Sequence, residues 1–476
     1  MKQVVVVGGG IAGLALGHRL AGEAARERGI SLAVLESARR PGGPIRSEET
    51  EGFLLEHGPH GFLDDAPETL ALVEALGLGG RRLASRDEAR RRYVFRGGRL
   101  HELPSGPLAF LRSALLSGAG KLRLAREPWA RHRPEEEETI EAFATRRLGP
   151  EASAALVGPM VTGVFAGDPR QLSLRACFPR LHELESAHGG LLRGLVAGAR
   201  RRRAEGGKPR ASLGRLTSFR GGMEELVRAL AGRLGARLRT GASVRSLDRL
   251  PVGSGSPRYR LVLEDGSAVA ADVVVLAASA ADAARLLEPL DPPTAALLRQ
   301  TPAAPLGVVG LGYAKASLPR PLDGFGFLVA RGEGPRILGA LWESSVYEGR
   351  APEGSVLVRA MVGGAADPEA LSLSDDQLLA RVREDLVATM DLRAEPTFVR
   401  VLRHRFGMPQ YTVGHLDRLA QAERRLADAC PGVLLAGSSY RGVAVNACIS
   451  DAGRVAERIL AEARAQEPDI PAAVAR

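Results

Sequence analysis

The chain has 476 residues, of which 45% are apolar and 25% charged, and these proportions exclude a disordered, collagen-like or low-complexity protein. Only 4% of the residues are aromatic, which argues against stacking surfaces for single-stranded nucleic acid. The net charge of +10 is compatible with a well-solvated surface, and an anionic small molecule or an anionic membrane surface as partner are the alternatives. Nucleic acid ranks below both, because no recognition motif accompanies the basic residues.

The cysteines and the hydropathy pattern bear on compartment and metal binding. Cys177, Cys430 and Cys448 are too few and too widely spaced for a disulfide framework or a zinc site. We therefore expect a reducing, cytoplasmic compartment and no metal. The sequence contains no run of 18 apolar residues, so it predicts no transmembrane helix.

The first predicted element is a buried strand made of the four valines at 4–7. Glycines in G-x-G-x-x-G spacing and an apolar helical pattern follow, and a second strand over 32–35 ends at an acidic residue. This β-α-β unit predicts a dinucleotide site, in which backbone N–H groups approach a pyrophosphate and the acid accepts a hydrogen bond from a ribose hydroxyl. The residues assigned to the nucleotide are Gly8, Gly10, Ile11, Ala12, Gly13 and Glu36.

A second short motif follows the acid, with Arg40, Gly42 and Gly43 in R-x-G-G spacing. An acid followed by R-x-G-G resembles the extended nucleotide motif of flavoproteins related to amine oxidases, and this resemblance favours FAD over NAD. The acid itself disfavours NADP, whose ribose carries a phosphate. We expect one FAD per chain, bound non-covalently, because nothing in these motifs demands a cysteine or histidine as a covalent tether.

Further along the chain, periodicity separates nucleotide, helical and sheet segments. A hairpin over 259–269 and a buried strand over 272–277 continue the nucleotide fold far from the first motif. Residues 105–200 have helical patterns, whereas short apolar strands predict a second sheet, followed by an amphipathic helix over 375–390. These strands are 306–311, 325–329, 337–341 and 356–362.

The C-terminal segment again has the order strand, glycine loop, helix. A strand over 433–436 ends at Gly437, and a helix follows from about residue 447. A helix N-terminus carries partial positive charge, which would stabilise negative charge at the pyrimidine end of a reduced flavin. A strand, loop and helix that merely close the domain are the alternative.

These patterns predict an α/β protein with a Rossmann-like, discontinuous FAD domain, a sheet-based substrate domain and a helical domain. The predicted bounds are 1–90, 212–300 and 410–476 for the FAD domain, 91–211 for the helical domain and 301–409 for the substrate-binding domain.

Four stretches carry a wider resemblance. They are Gly-Val-Phe-Ala-Gly-Asp at 163–168, Gly-Phe-Gly-Phe-Leu-Val at 324–329, Pro-Gln-Tyr-Thr-Val-Gly-His at 409–415 and Ala-Gly-Ser-Ser-Tyr-Arg-Gly-Val-Ala-Val-Asn at 436–446. With them the chain resembles, nearly from end to end, the protoporphyrinogen oxidase family of FAD-dependent enzymes in haem biosynthesis. The resemblance implies a membrane-associating helical domain. It also implies oxidation of protoporphyrinogen IX to protoporphyrin IX by three successive hydride transfers to flavin N5, with oxygen as acceptor.

The resemblance also implies site residues. The matching FAD positions beyond the first motif are Ser37, Gly42, Gly43, Gly58, Val244, Ser438, Val443, Ala444 and Val445. The matching positions around the porphyrinogen are Arg92, Gly163, Phe325, Gly326, Leu328, Met361 and Met408, with Arg92 against a propionate. A surface position for Arg92 and core positions for Phe325 and Met361 are the alternatives. No catalytic side chain is expected, because the flavin carries the chemistry.

Three positions depart from the family pattern and bear on the flavin site. His60 stands where some relatives have arginine, Pro44 follows Gly43, and Ala447 replaces an aspartate. These departures leave the glycines and Glu36 intact, but a contact between His60 and the flavin is not implied.

Other functions stay open from the sequence. Coproporphyrinogen, with four carboxylates against two, is the alternative substrate. A flavin amine oxidase or carotenoid desaturase is a second alternative, although amine oxidases usually place a lysine near N5 and residues 305–311 contain none. A flavin-free binding protein, like the GDP-dissociation inhibitors, is a third, and the intact motifs at both ends argue against it.

Two further questions concern partners. Residues 105–130 combine apolar and basic side chains, as suits the surface of an anionic bilayer. Peripheral contact with the inner face of the membrane and packing of this segment inside the protein are equally open, and so is a homodimer.

Overall fold

A computed structural model describes residues 1–133, 135–204, 214–251 and 257–464. The predicted domain ends at 211, 212 and 476 lie outside the described residues. The strands are β1 (Lys2–Val7), β2 (Ile30–Glu36), β3 (Ser47–Thr50), β4 (Phe53–Glu56), β5 (Phe62–Leu63), β6 (Arg82–Ala84), β7 (Tyr93–Arg96), β8 (Arg99–Glu102), β9 (Leu216–Phe219), β10 (Leu238–Thr240), β11 (Val244–Arg249), β12 (Tyr259–Leu263), β13 (Ala268–Ala271), β14 (Val273–Leu276), β15 (Ala303–Ala314), β16 (Gly326–Val329), β17 (Ile337–Leu341), β18 (Ser355–Gly363), β19 (Phe398–Pro409) and β20 (Val433–Leu435).

Helices connect and cover these strands. They are α1 (Ile11–Leu20), α2 (Glu23–Glu27), α3 (Pro67–Ala75), α4 (Pro107–Arg112), α5 (Gly118–Ala125), α6 (Ile140–Leu148), α7 (Pro150–Ala152), α8 (Gly158–Phe165), α9 (Leu174–Cys177), α10 (Pro179–His188), α11 (Leu191–Ala204), α12 (Glu224–Leu234), α13 (Ala280–Leu287), α14 (Pro292–Arg299), α15 (Glu343–Val346), α16 (Asp375–Met390), α17 (His415–Ala429) and α18 (Val445–Arg464).

The N-terminal strand lies at the centre of a five-stranded parallel sheet with the order β10-β2-β1-β14-β20. Val4 pairs with Leu32 on one side and with Val273 on the other. Both faces of the sheet are covered, which explains four consecutive valines. Val4 faces a core shared with α1, α12 and α18, and Val5 faces a core shared with α13 and α17. The predicted β-α-β unit and the α/β class are confirmed.

The second sheet has seven strands in the order β19-β15-β18-β17-β16-β7-β8. One face is covered by α16, whose Val382 and Leu386 share a core with Val309 and Ala360 of the sheet. The predicted strands of this sheet and the helix over 375–390 are confirmed, although the strands are buried almost throughout rather than on alternate residues. The opposite face of the sheet is turned toward the nucleotide-binding part of the chain, where Arg359 contacts the Gly58 carbonyl.

The hairpin of β7 and β8 differs from the prediction, which assigned residues from 91 onward to a helical domain. β7 pairs in parallel with β16, with Tyr93 opposite Phe327 and Phe95 opposite Val329. The hairpin thereby forms one edge of the seven-stranded sheet, so that sheet takes two strands from well before residue 301. The pairing partner lies more than 200 residues away in sequence, which is why local periodicity did not reveal it.

Helices α4 to α11 lie between β8 and β9 in the chain and pack largely on one another. Phe143 of α6, Val161 of α8 and Leu174 of α9 belong to one buried cluster. Residues 105–130 contain the two short helices α4 and α5, followed by a 3-10 turn over Glu127–Trp129. Over the described ranges, every helix is too short or too polar to cross a bilayer.

Candidate functional site

The glycines after β1 have separate structural roles. Gly8 has φ +113°, and a Cβ there would lie 2.6 Å from the Ala277 carbonyl oxygen. A Cβ at Gly13 would overlap the Gly8 carbonyl oxygen, so α1 can approach the turn this closely only with glycine. A Cβ at Gly10 would meet no atom within 4 Å. The fold therefore requires Gly8 and Gly13, whereas Gly10 borders open space.

The N-terminus of α1 points its free amides into this open space. Gly10 is the N-cap and has no side chain to accept from the first turn. The first helical hydrogen bond runs from the Leu14 N–H to the Gly10 carbonyl at 2.9 Å. The N–H groups of Ile11 and Ala12 lie in the first turn, where the helix itself offers them no acceptor. Free amides and the helix dipole together suit a phosphate anion.

Glu36, at the end of β2, is fixed against the glycine turn. Its side chain accepts hydrogen bonds from the N–H of Gly9 at 2.7 Å and the N–H of Ala38 at 2.8 Å. The Ser37 hydroxyl lies 3.3 Å from the same carboxylate. Each carboxylate oxygen can accept more than one hydrogen bond, so Glu36 keeps capacity for a hydroxyl such as that of a ribose.

Arg40 is bound to the backbone of its own loop and is not a solvated surface charge. Its guanidinium folds over the following loop and donates to the carbonyls of Pro41 and Ile45, both at 3.1 Å, and of Gly43 at 2.7 Å. The Gly42 N–H donates to the Gly9 carbonyl at 2.7 Å and so joins the two glycine loops. Gly43 faces Gly10, since a Cβ on it would lie 3.6 Å from the Gly10 Cα. Arg40 thus fixes the second loop beside the first.

The C-terminal glycine loop reaches the same edge of the sheet. A Cβ at Gly437 would lie 3.3 Å from the Cβ of Ala12, near the start of α1. Helix α18 begins at Val445, two residues earlier than predicted, so Ser438, Val443 and Ala444 precede its first turn. The structure thereby brings the N-termini of α1 and α18 to one edge of the parallel sheet, where a ligand could span both.

Two other predicted cofactor residues connect this edge to its surroundings. Val244 is buried at the start of β11, and its carbonyl accepts from Arg285 at 2.9 Å. A Cβ at Gly58 would overlap the Pro44 carbonyl oxygen, so the chain segments at 44 and 58 can approach this closely only with glycine at 58. Glycine at 58 thus accommodates Pro44, the residue that departs from the family pattern after Gly43.

Two of the predicted pocket residues, Leu328 and Met361, lie in one row of the seven-stranded sheet. Leu328, Gly339, Met361 and Val308 are successive partners in one row across four strands. A Cβ at Gly163 of α8 would lie 2.7 Å from the Leu328 side chain, so α8 packs on this row. Met361 and Leu328 are only half-buried, so this row is available for further contacts.

Two other pocket predictions have different surroundings. Met408 pairs with Ala304 at the far end of β19. Gly326 is required for sheet packing, because a Cβ there would overlap the Ala340 carbonyl oxygen. Its position thus serves the close approach of β16 to β17, whatever ligand the face binds.

Arg92 differs from the arginines beside it. Its guanidinium lies 5.0 Å from the centroid of the Phe325 ring, a cation–π contact, and it has no carboxylate partner in the part of the chain that the structure describes. Arg91, by contrast, is paired with Asp323 at 3.0 Å. Partial desolvation lowers the pKa of Arg92 although its side chain remains accessible. Arg92 is therefore available to an anionic ligand.

A buried ionic network, which sequence reasoning missed, joins the sheet to the Gly58 segment. Glu343 lies 2.8 Å from Nε of Arg359 and 3.2 Å from Nδ1 of His60. Arg359 donates onward to the carbonyls of Glu56 and Gly58 at 2.9 Å and 2.8 Å. Burial acts to raise the pKa of Glu343, but Arg359 and His60 outweigh it and hold that pKa at about 2. The sequence feature that could have indicated this network is Arg359, a charged residue inside the largely apolar strand β18.

His60 thereby has a defined place between Phe325 and Glu343. Its ring lies edge-on to Phe325, with centroids 5.5 Å apart, while Nδ1 faces Glu343. Through Phe325 it is connected to Arg92. Arg92, which the resemblance places against a propionate, and His60, which departs from the family pattern, thus contact the same aromatic residue.

Comparisons with known proteins agree with this geometry. Residues 11–460 match the family model described as flavin containing amine oxidoreductase. Human protoporphyrinogen oxidase is 35% identical over 96% of this chain and 98% of its own length. Coproporphyrinogen III oxidase of Bacillus subtilis (strain 168) is 31% identical over 96% of this chain and 97% of its own.

Solved structures give the same result. A candidate protoporphyrinogen oxidase from Exiguobacterium sp. 255-15 has a TM-score of 0.83 at 27% identity, over 97% of this chain and 99% of the other. Reduced UDP-galactopyranose mutase, at 16% identity and a TM-score of 0.71, shares the fold alone. The predicted oxidoreductase is confirmed, and the chain belongs to the flavin-containing amine oxidoreductase family.

Proposed function

We propose that the protein is an oxygen-dependent porphyrinogen oxidase with one non-covalent FAD, and that protoporphyrinogen IX is its substrate. The observation that carries the proposal is Arg92, a guanidinium without a carboxylate partner in the described chain, stacked on Phe325 at the edge of an apolar wall. Porphyrinogens combine a large apolar ring with carboxylates on its edge, and this wall offers the matching pair of features. The names of the most similar relatives support the same substrate class.

The cofactor residues would bind FAD from both ends of the cleft. The free amides at Ile11 and Ala12 suit its pyrophosphate, and Glu36 suits a ribose hydroxyl. The N-terminus of α18, at Val445, suits negative charge on the ring system. When bound, FAD supplies the two-electron acceptor, and three such oxidations convert the porphyrinogen to the porphyrin.

The chain's own contribution is then binding, orientation and exclusion of water. Leu328 and Met361 would cover the apolar ring, because both lie in one row of the sheet. Arg92 would receive a propionate in a charge-assisted hydrogen bond. Burial of the ring against the sheet does not fix its rotation in the plane, so the polar contact at the edge selects the meso carbon that reacts.

Coproporphyrinogen III is the second candidate, because a relative of similar identity acts on it by name. Aerobic turnover of both porphyrinogens, followed by the fluorescence of the product, distinguishes the two. We expect yellow protein, release of the flavin on acid precipitation, and faster oxidation of protoporphyrinogen IX. Faster oxidation of coproporphyrinogen III would establish the second candidate. Purified protein without flavin, or without activity on both compounds, would contradict the proposal.

We also propose peripheral contact with the inner face of a membrane through residues 105–130. Leu115 and Leu116 are buried, so packing inside the protein accounts for that part of the segment. Arg112 and Arg126 are exposed nearby, as suits an anionic surface. Four apolar side chains are between 57% and 77% exposed: Leu108, Leu111, Leu122 and Trp129.

Flotation with anionic vesicles tests the membrane contact. We expect most of the protein to float at low salt with phosphatidylglycerol vesicles and to be released at high salt. The double variant Leu108→Glu/Leu111→Glu should remain at the bottom, whereas Phe406→Glu, which alters an exposed aromatic residue on β19, should float like the wild type. Full recovery of the wild type in the soluble fraction would contradict the contact.

A further inference from the structure

The segment 409–415, which the proposed function leaves without a role, contacts the C-terminal glycine loop through one buried phenol. Tyr411 lies just after β19, and its side chain is buried. Its hydroxyl accepts from the N–H of Gly442 at 2.8 Å and donates to the carbonyl of Ser438. A single oxygen therefore bridges the two ends of loop 438–442, which separates β20 from α18.

His415 adds a third hydrogen bond to the same loop. Its ring is stacked on that of Tyr411, with centroids 4.2 Å apart and planes at 21°. Its Nε2 lies 2.9 Å from the Tyr440 carbonyl, which can only accept, so Nε2 carries the proton. Burial lowers the pKa of His415 and raises that of Tyr411, so both groups remain neutral donors. We call Tyr411 and His415 the loop clamp.

The loop clamp is anchored on its other side in the helical segment. The Tyr411 carbonyl accepts from the N–H of Ser173 at 2.8 Å. Glu137 accepts from the Ser173 hydroxyl at 2.6 Å and from the Gly414 N–H at 2.8 Å. The clamp is therefore held in place by contacts that do not involve the loop itself, as a positioning element requires.

We propose that Tyr411 is a positioning residue that holds loop 438–442, and with it the N-terminus of α18, in the conformation that receives the flavin. The inference rests on the proposed flavin site. The loop begins and ends next to glycines with positive φ, Gly437 and Gly442, so the backbone there has many alternatives in the absence of restraint. Without the phenol, the loop would have to become ordered when FAD binds. The entropy lost in that ordering would weaken FAD binding.

The test compares two phenylalanine substitutions in adjacent parts of the same cluster. Tyr411→Phe removes both hydrogen bonds of the clamp to the loop ends. Tyr440→Phe is the matched control, because the Tyr440 hydroxyl is buried and has no hydrogen-bond partner within the described residues. Both variants lose one buried oxygen and keep the ring. The measurements are the Kd of FAD for the apoprotein, from quenching of flavin fluorescence, and the Tm of the apoprotein.

We expect Tyr411→Phe to raise the Kd of FAD roughly 10- to 100-fold, since two backbone groups lose their partner, and Tyr440→Phe to leave it unchanged. Three outcomes would overturn the inference. They are an unchanged Kd of FAD in Tyr411→Phe, an equal loss of FAD affinity in both variants, and a lower apoprotein Tm of Tyr411→Phe with wild-type FAD affinity. Wild-type protein that binds no FAD would overturn the proposed function itself, so the two failures are distinguishable.

A second pair of variants covers the case in which Tyr411→Phe does not fold. His415→Gln retains a donor for the Tyr440 carbonyl, whereas His415→Phe retains the stacked ring and loses the donor. We expect FAD binding near that of the wild type for His415→Gln and weaker binding for His415→Phe. The reverse order, or equal binding by both, would contradict a role of the clamp in holding the loop.

Discussion

Gly10→Glu is expected to give a folded protein that contains no flavin. A Cβ at Gly10 meets no atom within 4 Å, so the fold accommodates a side chain there. The carboxylate, however, would stand at the free amides of Ile11 and Ala12, in the place of the pyrophosphate. Two like charges about 4 Å apart repel by about 4 kcal/mol at an effective dielectric constant near 20, which corresponds to roughly a 1000-fold loss of affinity. Flavin absorbance of the purified variant measures the loss of the cofactor, and circular dichroism shows whether the variant is folded.

Two neighbouring substitutions separate loss of the site from loss of the fold. Gly10→Ala should keep both fold and flavin, because its methyl group points into open space. Gly13→Ala should lose both, since its Cβ would overlap the Gly8 carbonyl oxygen and force α1 away from the turn. A yellow Gly10→Glu protein would place the cofactor elsewhere than at the N-terminus of α1.

The parts of the fold that the sequence predicts well are those in which local pattern and structure have the same cause. The strand at 4–7 is apolar throughout because both of its faces are covered. The helix over Asp375–Met390 matches its predicted bounds because Ser374 and Gln377 form a capping box at its start. The hairpin β7–β8 was misassigned because its place depends on a pairing with β16, and no local pattern encodes a partner so distant.

In the candidate site, too, local motifs could be predicted from the sequence and long-range contacts could not. The glycine turn and Glu36 could be predicted because the motif lies within one β-α-β unit. The contact of Glu343 with Arg359 and His60 could not, because it joins three separate segments by long-range ion pairs. A buried acid and a buried arginine are individually unfavourable, and each is understandable only when its partner is known.

Arg92→Ala is expected to raise the Michaelis constant for the porphyrinogen about 10- to 150-fold. Loss of a hydrogen bond to a charged group costs about 1.5–3 kcal/mol, and each 1.4 kcal/mol is about tenfold in affinity. Arg92 is suited to this contact because it is accessible, stacked on Phe325 and without a carboxylate partner across the described segments. Flavin content should not change, since the glycine turn and Glu36 do not contact Arg92. Steady-state kinetics and flavin absorbance measure the two quantities.

Variants at the same and the adjacent position test whether charge or geometry is responsible. Arg92→Lys should recover part of the affinity, because lysine keeps the charge but lacks the planar fork that binds a carboxylate through two N–H groups. Arg91→Ala is the matched control: its guanidinium already faces Asp323 at 3.0 Å, so the Michaelis constant should change by less than about twofold. If Arg92→Ala and Arg91→Ala have equal, unaltered kinetics, Arg92 is only a surface arginine. The propionate would then be bound elsewhere, and His60, which lies beside Phe325, would be the next position to substitute.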